Sequence, residues 1–523
     1  MTYYQTWFGL ISGSLIFFFL LLLEASPLLG QLRLPKVFSD HMVVQRESPI
    51  PIWGSGAEPG QTVAVELKNS SRETLADSIG SWSVKLPAIS AGGPYDLQVA
   101  TETDTINFTD VLVGEVWVAS GQSNMAWPLR QSEVFDSVKS NLKHPDIRLF
   151  KMEQGVHLSP EPYTEEELRK IVHGSFYQSA SWEHSSSDTA PEFSAVAYYF
   201  AQNLQDSLNV PVGIIQNAIG GSPTQAWLSK KALRNNPKLK KYIPGGEDNW
   251  FSVKELHPFI ASRVKENLGE ALKSGQVNAY QHPFAPFYLY DHGVTPLIPY
   301  GIRGVLWYQG ESNANYPDEH TRLFKTLIQD WRKAWKQGSF PFLYVQLPAI
   351  QGRNRWPEFR KGQQDVLKLP NTSMTVTVDL GDPRRPSNVH PPKKRPIGRR
   401  LSRIALGKVY GESIPFSGPK FENYQLRDSI LSITFDHAEK LATTNGNSPN
   451  GLVLQGYNRS GTREQIITPD TMTVSGNSLR IQIPEEISVT KIKYGWAPYP
   501  EVNLINEAGL PAWPFKIELP GNF

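Results

Sequence analysis

Strands and helices alternate along the middle of this chain, and that alternation restricts the fold more than any other feature. Short apolar runs at residues 212–215 and 304–308 are typical of buried strands. Residues 194–208 and 320–335 instead repeat apolar side chains at helical spacing. The pattern predicts an α/β domain with a parallel sheet over residues 111–407.

The two flanks of this region carry a different pattern. Residues 31–110 and 408–523 contain short runs of partial two-residue alternation, separated by Gly, Pro, Asn and Ser. Such spacing predicts a β-sandwich-like domain at each end of the chain. Residues 131–190 show weak periodicity, and we expect them to form an irregular insertion in the α/β domain.

The first 30 residues predict an export signal. The apolar run at residues 10–23 is short for a bilayer span and suits a signal-peptide core, although residues 1–9 lack Lys and Arg. We expect cleavage near Gly30 and no stable membrane insertion afterwards; an uncleaved anchor is the alternative. Because the chain has no cysteine, it suits a secreted or periplasmic protein of a bacterial envelope.

Composition and spacing argue against several classes of function. A net charge of +2 gives no basis for nucleic-acid binding. The absence of cysteine excludes disulfides, thiolate metal sites and a cysteine nucleophile. No His-x-x-x-His or comparable ligand spacing occurs. We therefore expect neither a catalytic metal nor another cofactor.

A serine lies at the junction of a predicted strand and a predicted helix. Residues 116–119 are apolar or small, residues 120–123 form a turn signal, and a helix can begin at Asn124. At such a junction the Ser123 hydroxyl would be exposed beside backbone N–H groups and the positive end of a helix, which stabilise an oxyanion. An N-cap serine on a glycine turn explains the same residues without catalysis. The flanks do not match the G-x-S-x-G elbow of α/β-hydrolases.

Three further loops follow predicted strands, at the end of a parallel sheet where ligands bind. They contain the glycine pair at residues 220–221, the segment 309–313, and His390. Ester hydrolysis by serine needs a base, a group that orients the base, and oxyanion donors. Ser123 and His390 supply nucleophile and base if their loops meet. Taken singly, the glycines also suit a tight turn and the histidine a surface loop.

Together these segments resemble the sialate O-acetylesterase family, which consists of SGNH-type carbohydrate esterases. The resemblance lies in residues 116–125 (Val-Trp-Val-Ala-Ser-Gly-Gln-Ser-Asn-Met), 307–313 (Trp-Tyr-Gln-Gly-Glu-Ser-Asn), 389–391 (Val-His-Pro) and 494–497 (Tyr-Gly-Trp-Ala). Several motifs in order are more specific than any single one. The resemblance covers nearly the whole chain after the predicted signal and implies an SGNH-hydrolase-like, three-layer α/β fold.

The resemblance also implies a role for each site residue. Ser123 would be the nucleophile, and His390 would act first as general base and then as general acid. The oxyanion would be held by backbone N–H groups and a side-chain amide. These donors would come from Ser123, from Gly220 or Gly221, and from Asn313 or Gln309.

The carboxylate that orients the histidine is harder to assign from the resemblance. Many SGNH enzymes have Asp three residues before the histidine, where this chain has Ser387, and Asn388 lies two before it. In related acetylxylan esterases the acid comes from the Gln-Gly-Glu segment. We therefore predict Glu311, with Asp382 and Asp379 as alternatives. A structural Glu311 that pins its loop is the competing interpretation.

These inferences predict a serine esterase that removes O-acetyl groups from carbohydrates through an acetyl-enzyme intermediate. The expected partner is an O-acetylated glycan, most directly a sialic acid. An acetylxylan or other polysaccharide acetylesterase is one alternative, and an inactive carbohydrate-binding protein is another. The basic stretch at residues 384–403 could pair with an anionic sugar, but we expect it to be a solvated helix face.

Overall fold

The computed structural model of the protein describes residues 31–243, 250–458, 464–467, 469, 472–485 and 487–519. The predicted signal peptide, residues 1–30, lies outside the described residues. Within these ranges, every helix is too short or too polar to span a bilayer.

The N-terminal part of the chain folds into strands. They are β1 (Val43–Gln45), β2 (Ile50–Gly54), β3 (Thr62–Leu67), β4 (Ser70–Leu75), β5 (Trp82–Leu86), β6 (Gly92–Ala100) and β7 (Thr105–Gly121). Buried and exposed residues alternate along β5, as expected of a strand with one face on a core. β3 pairs antiparallel with β4 and β6, β2 pairs with β5, and β1 runs parallel to β7.

A mainly parallel sheet with helices forms the middle of the chain. Its elements are α1 (Ser123–Ala126), α2 (Phe135–Val138), β8 (His144–Lys151), α3 (Glu165–Val172), β9 (Trp182–Ser185), α4 (Ala195–Leu208), β10 (Val212–Ala218), α5 (Lys230–Asn235), α6 (Pro258–Lys273), β11 (Gly304–Tyr308), α7 (Pro317–Trp335), β12 (Phe342–Val345), α8 (Trp356–Asp365), β13 (Thr372–Thr375) and α9 (Arg395–Lys408). The strand order is β13-β12-β11-β7-β10-β8-β9, and only β9 is antiparallel to its neighbour. The predicted α/β fold is confirmed.

Apolar side chains cover both faces of the central sheet. On β7, Val116 and Val118 belong to one buried cluster and Trp117 and Ala119 to another, because successive side chains of a strand point to opposite faces. The first cluster includes side chains of α6 and α7, and the second includes those of α4 and α9. The sheet therefore lies between two layers of helices.

Strand β7 belongs both to the N-terminal strands and to the central sheet. It pairs with β6 from Thr105, opposite Ala100, and with β10 over residues 115–121. From β7 the chain winds first toward β8 and β10 on one side, then toward β11, β12 and β13 on the other. Such a reversal creates a crevice beyond the carboxyl ends of the strands. Ser123 follows β7 directly into this crevice.

The structure differs from the irregular insertion expected over residues 131–190. This segment contains β8, which pairs parallel with β10 inside the sheet, and β9 at its edge. The strand pattern of β8 was obscured because Pro145 lies near its start and charged Arg148 is buried in its middle.

The C-terminal part returns to strands, as the sequence predicts. They are β14 (Lys420–Arg427), β15 (Ile430–Asp436), β16 (Leu441–Thr443), β17 (Leu452–Asn458), β18 (Glu464–Ile467), β19 (Met472–Ser475), β20 (Ser478–Gln482), β21 (Ile487–Tyr494), β22 (Leu504–Asn506) and β23 (Phe515–Glu518). Two four-stranded antiparallel sheets contribute to one apolar cluster. Buried Arg360 of α8 donates to the backbone oxygens of Ala497 and Pro498, at 2.8 and 2.7 Å, and so holds the loop between β21 and β22 against the central part.

Candidate active site

Ser123 and His390 meet at the carboxyl end of the parallel strands. Ser123 is the first residue of α1, and His390 lies in the loop between β13 and α9. The His390 Nε2 atom lies 2.7 Å from Ser123 Oγ, although 267 residues separate the two in sequence. At this distance the imidazole can accept the hydroxyl proton.

Gly121 shapes the turn that presents Ser123. Its φ angle is +137°, and a Cβ atom at this position would lie 2.2 Å from the backbone oxygen of Tyr308. The N–H of Gln122 donates to the same oxygen at 3.0 Å. Because only glycine tolerates both the backbone angle and the close approach, β11 fixes the position from which the serine emerges.

Backbone N–H groups from two loops lie near the serine. A Cβ atom added to Gly220, in the loop after β10, would lie 3.7 Å from Ser123 Cβ. None of the described residues accepts a hydrogen bond from the N–H of Ser123, Gly220 or Gly221. Free N–H groups beside a nucleophile are suitable donors for an oxyanion.

Gln309 and Asn313 bond to the loop after β10 instead of lining the cavity at Ser123. Gln309 Nε2 donates to Asn313 Oδ1 at 2.9 Å and to the backbone oxygen of Ser222 at 3.2 Å. Asn313 Nδ2 donates to Gln225 Oε1 at 3.1 Å. These bonds join the loop after β11 to the loop after β10. Gln309 Nε2 uses both of its hydrogens in these bonds, so it would have to leave a partner to act as the predicted oxyanion donor. Asn313 Nδ2 donates one bond and keeps a second hydrogen that no described residue accepts.

Glu311 is buried beside Ser123 and His390 and bonds to Asn124. Glu311 Oε1 accepts a hydrogen bond from Asn124 Nδ2 at 2.5 Å, and the buried Oε2 atom has no hydrogen-bond partner among the described residues. Burial raises the pKa of Glu311, and the bond from Asn124 opposes that rise. Within the described part of the chain, no carboxylate hydrogen-bonds to the His390 ring. The orienting role of Glu311 stays a prediction.

The two alternative acids bind other groups. Asp382 Oδ2 accepts a bond from Asn388 Nδ2 at 2.9 Å, and Asn388 Oδ1 accepts one from the backbone N–H of His390 at 3.0 Å. Asp382 therefore supports the histidine loop through Asn388. Asp379 forms a two-pronged ion pair with Arg400, at 2.8 and 2.6 Å.

Asn124 and Lys394 form a buried polar contact that the sequence interpretation did not include. Asn124 Nδ2 also donates to the backbone oxygen of Val389 at 2.8 Å, and Asn124 Oδ1 accepts from Lys394 Nζ at 2.5 Å. Asn124 thus links the loops that carry Ser123, Glu311 and the histidine. Its only sequence signal was its place directly after Ser123.

Lys394 does not lie on the solvated helix face that was expected for the basic stretch. Its side chain is fully buried, and burial lowers its pKa to about 7. The charges of Glu311 and Glu133 oppose that shift. The expectation of solvent exposure is therefore wrong for this lysine, which stands immediately before α9 and turns inward.

The His390 ring is held in its neutral form. Burial, and then the charge of Lys394, lowers its pKa to about 4. The Trp127 ring stacks on the imidazole, with centroids 5.2 Å apart and planes 28° apart. A neutral imidazole with its proton on Nδ1 can accept a proton at Nε2 near pH 7.

A cavity of about 450 Å³ opens over Ser123 and His390. Its size lies within the range of small-molecule sites. Apolar and cationic side chains both contribute to it. Its lining includes Leu158, Phe259, Phe284, His257, Arg263 and Arg353.

The α/β sheet, the serine–histidine pair at its carboxyl edge and the free N–H groups beside the hydroxyl together define a serine hydrolase type of site. The family model "Carbohydrate esterase, sialic acid-specific acetylesterase" matches residues 113–242 and 290–406. The sialate O-acetylesterase of Mus musculus is 30% identical over an alignment of 446 residues, and the match covers 77% of this chain and 79% of the mouse protein. The chain belongs to this family of carbohydrate esterases, as predicted.

Two further comparisons agree that the chain belongs to this family. The sialate O-acetylesterase of Homo sapiens is 29% identical over an alignment of 512 residues, and the match covers 90% of this chain and 88% of the human protein. The crystal structure of a carbohydrate acetylesterase from Xanthomonas citri has a TM-score of 0.75 at 29% identity, and the match covers 93% of this chain and 99% of that one.

Proposed function

We propose that this protein is a serine esterase that hydrolyses O-acetyl groups of carbohydrates, with O-acetylated sialic acids as its substrates. The observation that carries the proposal is the 2.7 Å contact between Ser123 Oγ and His390 Nε2. The mouse and human relatives are named sialate O-acetylesterases, which supports the substrate class.

In the proposed reaction, Ser123 Oγ attacks the acetyl carbonyl carbon while His390 Nε2 takes the hydroxyl proton. The N–H groups of Ser123, Gly220 and Gly221 hold the oxyanion that forms. The intermediate collapses to acetyl-Ser123, and the sugar oxygen leaves with the proton from His390. Water then gives a proton to His390 and attacks the acetyl carbon. His390 returns this proton to Ser123 Oγ as the bond to the acetyl group breaks, which releases acetate and restores the serine and the neutral base.

Glu311 is proposed to orient His390 indirectly. The contact that supports this role is the chain from Glu311 Oε1 to Asn124 Nδ2 and on to the backbone oxygen of Val389, the neighbour of the histidine. The buried charge of Lys394 balances the carboxylate at the other side of Asn124. A preorganised arrangement of this kind keeps the base aligned with the nucleophile.

Arg353 supports an anionic sugar as the substrate. Its side chain lines the same cavity as Ser123, and a guanidinium group binds carboxylates through paired hydrogen bonds. Sialic acid carries a carboxylate, whereas the repeating unit of acetylxylan does not. Acetylxylan is therefore the comparison substrate in the test below.

The proposed function is accompanied by a proposed domain organisation of the chain and a proposed cellular location of the protein. We propose an SGNH-hydrolase-like domain over residues 111–407, flanked by sandwich-like domains at 31–110 and 408–523. Export by the predicted signal at residues 1–30 would bring the esterase to extracellular or periplasmic glycans.

The test is acetate release from O-acetylated sialic acid and from acetylxylan, measured side by side. We expect release from sialic acid by the wild type and by Ser187→Ala, which alters an exposed serine, and none by Ser123→Ala. Release from acetylxylan alone would keep the chemistry and overturn the substrate. Release from neither substrate, without labelling of Ser123 by a phosphonate probe, would overturn the enzymatic function.

A further inference from the structure

A second cluster of ionisable side chains lies near the opposite end of β7 from Ser123. It consists of His41, Asp110 and His184, and in the described residues it is the one group whose ligand atoms lie close enough to share a metal ion. Residues 110–121 of β7 separate it from the serine by roughly 35 Å, at about 3.3 Å per strand residue. The esterase reaction does not use this cluster.

The three ligand atoms lie close to one another. His41 Nδ1 is 2.8 Å from Asp110 Oδ2, and His184 Nε2 is 3.0 Å from the same oxygen. The two histidine nitrogens are 3.2 Å apart. Ligands bound at about 2.0–2.1 Å to one zinc-like ion are themselves roughly 3 Å apart. The spacing of the three atoms therefore fits one shared ion.

We propose that His41, Asp110 and His184 bind a divalent transition-metal ion of the zinc type, with solvent in the remaining coordination positions. Two imidazoles and one carboxylate are donors that suit Zn²⁺, Ni²⁺ and Co²⁺. Mg²⁺ and Ca²⁺ prefer sites made of oxygen atoms alone. The bound ion would join the N-terminal strands, through His41 and Asp110, to edge strand β9, through His184.

The backbone holds two of the ligands in uncommon conformations. His41 has a φ angle of +66° and Asp110 of +52°, both in the left-handed region that costs free energy for residues other than glycine. The register between β6 and β7 also shifts between Phe108 and Val111, so Asp110 lies in a bulge. Bulges redirect side chains and are frequent next to functional sites. Here the bulge turns Asp110 toward the two histidines.

Arg148 is the other charged group at the cluster. Its Nη2 atom donates to both oxygens of Asp110, at 3.1 and 2.9 Å, and its side chain is buried. Burial would raise the pKa of Asp110, but the His41 hydrogen bond and the charge of Arg148 lower it. Burial and Arg148 also lower the pKa of His184.

Arg148 has two opposite effects on metal binding at the proposed site. By holding both carboxylate oxygens it fixes the orientation of Asp110, as outer-shell partners of metal ligands do. Its positive charge repels a cation, so we expect weaker binding than in a closed structural zinc site. The ligands are 69 and 143 residues from His41 in sequence, which explains why local spacing gave no sign of them.

Calorimetric titration of the chelator-treated full-length protein with Zn²⁺ tests the proposal, and Co²⁺ absorption spectra give a second readout. We expect one ion per chain and a higher melting temperature with Zn²⁺. His184→Ala should weaken binding by more than about a hundredfold. His41→Asn, which keeps a residue tolerant of positive φ, should do the same. His173→Ala, which removes an exposed histidine outside the cluster, should bind as the wild type does.

Two results would overturn the metal site: no binding at millimolar Zn²⁺, or binding that neither cluster variant weakens. Equal displacement by Mg²⁺ would also contradict the proposed class of ion. Acetate release should be unchanged in His184→Ala. Because metal binding is measured without a substrate, its outcome is independent of the proposed esterase function.

Discussion

Asn124 Oδ1 lies 2.5 Å from Lys394 Nζ. Because Asn124 directly follows Ser123 in the sequence, a buried amino group contacts the residue next to the proposed nucleophile. Lys394→Met removes the charge that helps to lower the pKa of His390. We expect the acidic limb of kcat/KM to move to higher pH, while burial keeps it below the ordinary histidine value of about 6.5. Rate measurements across the acidic range would show the shift. Lys393→Met, which changes an exposed neighbour, should leave the profile in place.

The same substitution should also destabilise the fold. Lys394→Met leaves Asn124 Oδ1 without its hydrogen-bond donor and Glu311 without a nearby positive charge, at a cost of about 1–3 kcal/mol. Urea unfolding of Lys394→Met beside Lys393→Met measures the difference. Equal stability of the two variants would contradict a stabilising role of the buried Lys394 side chain.

Asn124→Ala should lower kcat by about a hundredfold, because misplacement of a catalytic group by about 1 Å costs that much. The variant removes the bonds from Asn124 to Glu311 and to the backbone of Val389. KM should change little, since Asn124 does not line the cavity. A phosphonate probe should still label Ser123, only more slowly. A rise in KM alone would contradict the positioning role.

Ser123→Ala should abolish acetate release while the fold is retained, because loss of a nucleophile costs at least about 10⁴-fold in kcat. Circular dichroism and the melting temperature provide the check on folding. A properly folded variant with wild-type turnover would remove Ser123 from the mechanism.

Glu311→Gln should lower kcat by orders of magnitude if the carboxylate orients His390. Glutamine keeps the shape of the side chain and an oxygen that can accept the bond from Asn124. A lower kcat would therefore result from the missing negative charge. The matched variant Asp379→Asn breaks the ion pair with Arg400 and should reduce stability more than kcat. If Glu311→Gln were fully active, the orienting role would pass to Asp382 or Asp379.

The pH dependence of the wild type follows from His390. Its pKa of about 4 in the folded protein means that the base stays neutral well below pH 6.5. We expect kcat/KM to hold through mildly acidic pH and to fall as pH drops through about 4. The unfolded histidine binds its proton near pH 6.5, so this group also removes stability as pH falls from 6.5 toward 4. An acidic limb at 6.5 would contradict the burial of the ring.

The contact between Ser123 and His390 and the class of fold could be predicted because they depend on local patterns. Ser123 and His390 follow predicted strands, and parallel strands bring their carboxyl ends to one edge. The network around Asn124 could not be predicted, because its partners Glu311 and Lys394 lie 187 and 270 residues away. Asn313 was predicted as an oxyanion donor from its motif. Its hydrogen bonds to Thr224 and Gln225 depend on how the loop after β10 folds, which no local sequence pattern indicates.

Strand β7 also has a consequence for the order of events during synthesis. Its first part pairs with β6, the preceding strand. Trp117, near its other end, can pair with Gly304 only after β11 has been synthesised. The N-terminal strands can thus assemble while the ribosome is still far from completing the neighbours of the nucleophile segment. Until then the far half of β7 keeps one edge open, even after β10 has paired with the other, and an open apolar edge is prone to wrong pairing. This interval is where a chaperone would most benefit the nascent chain.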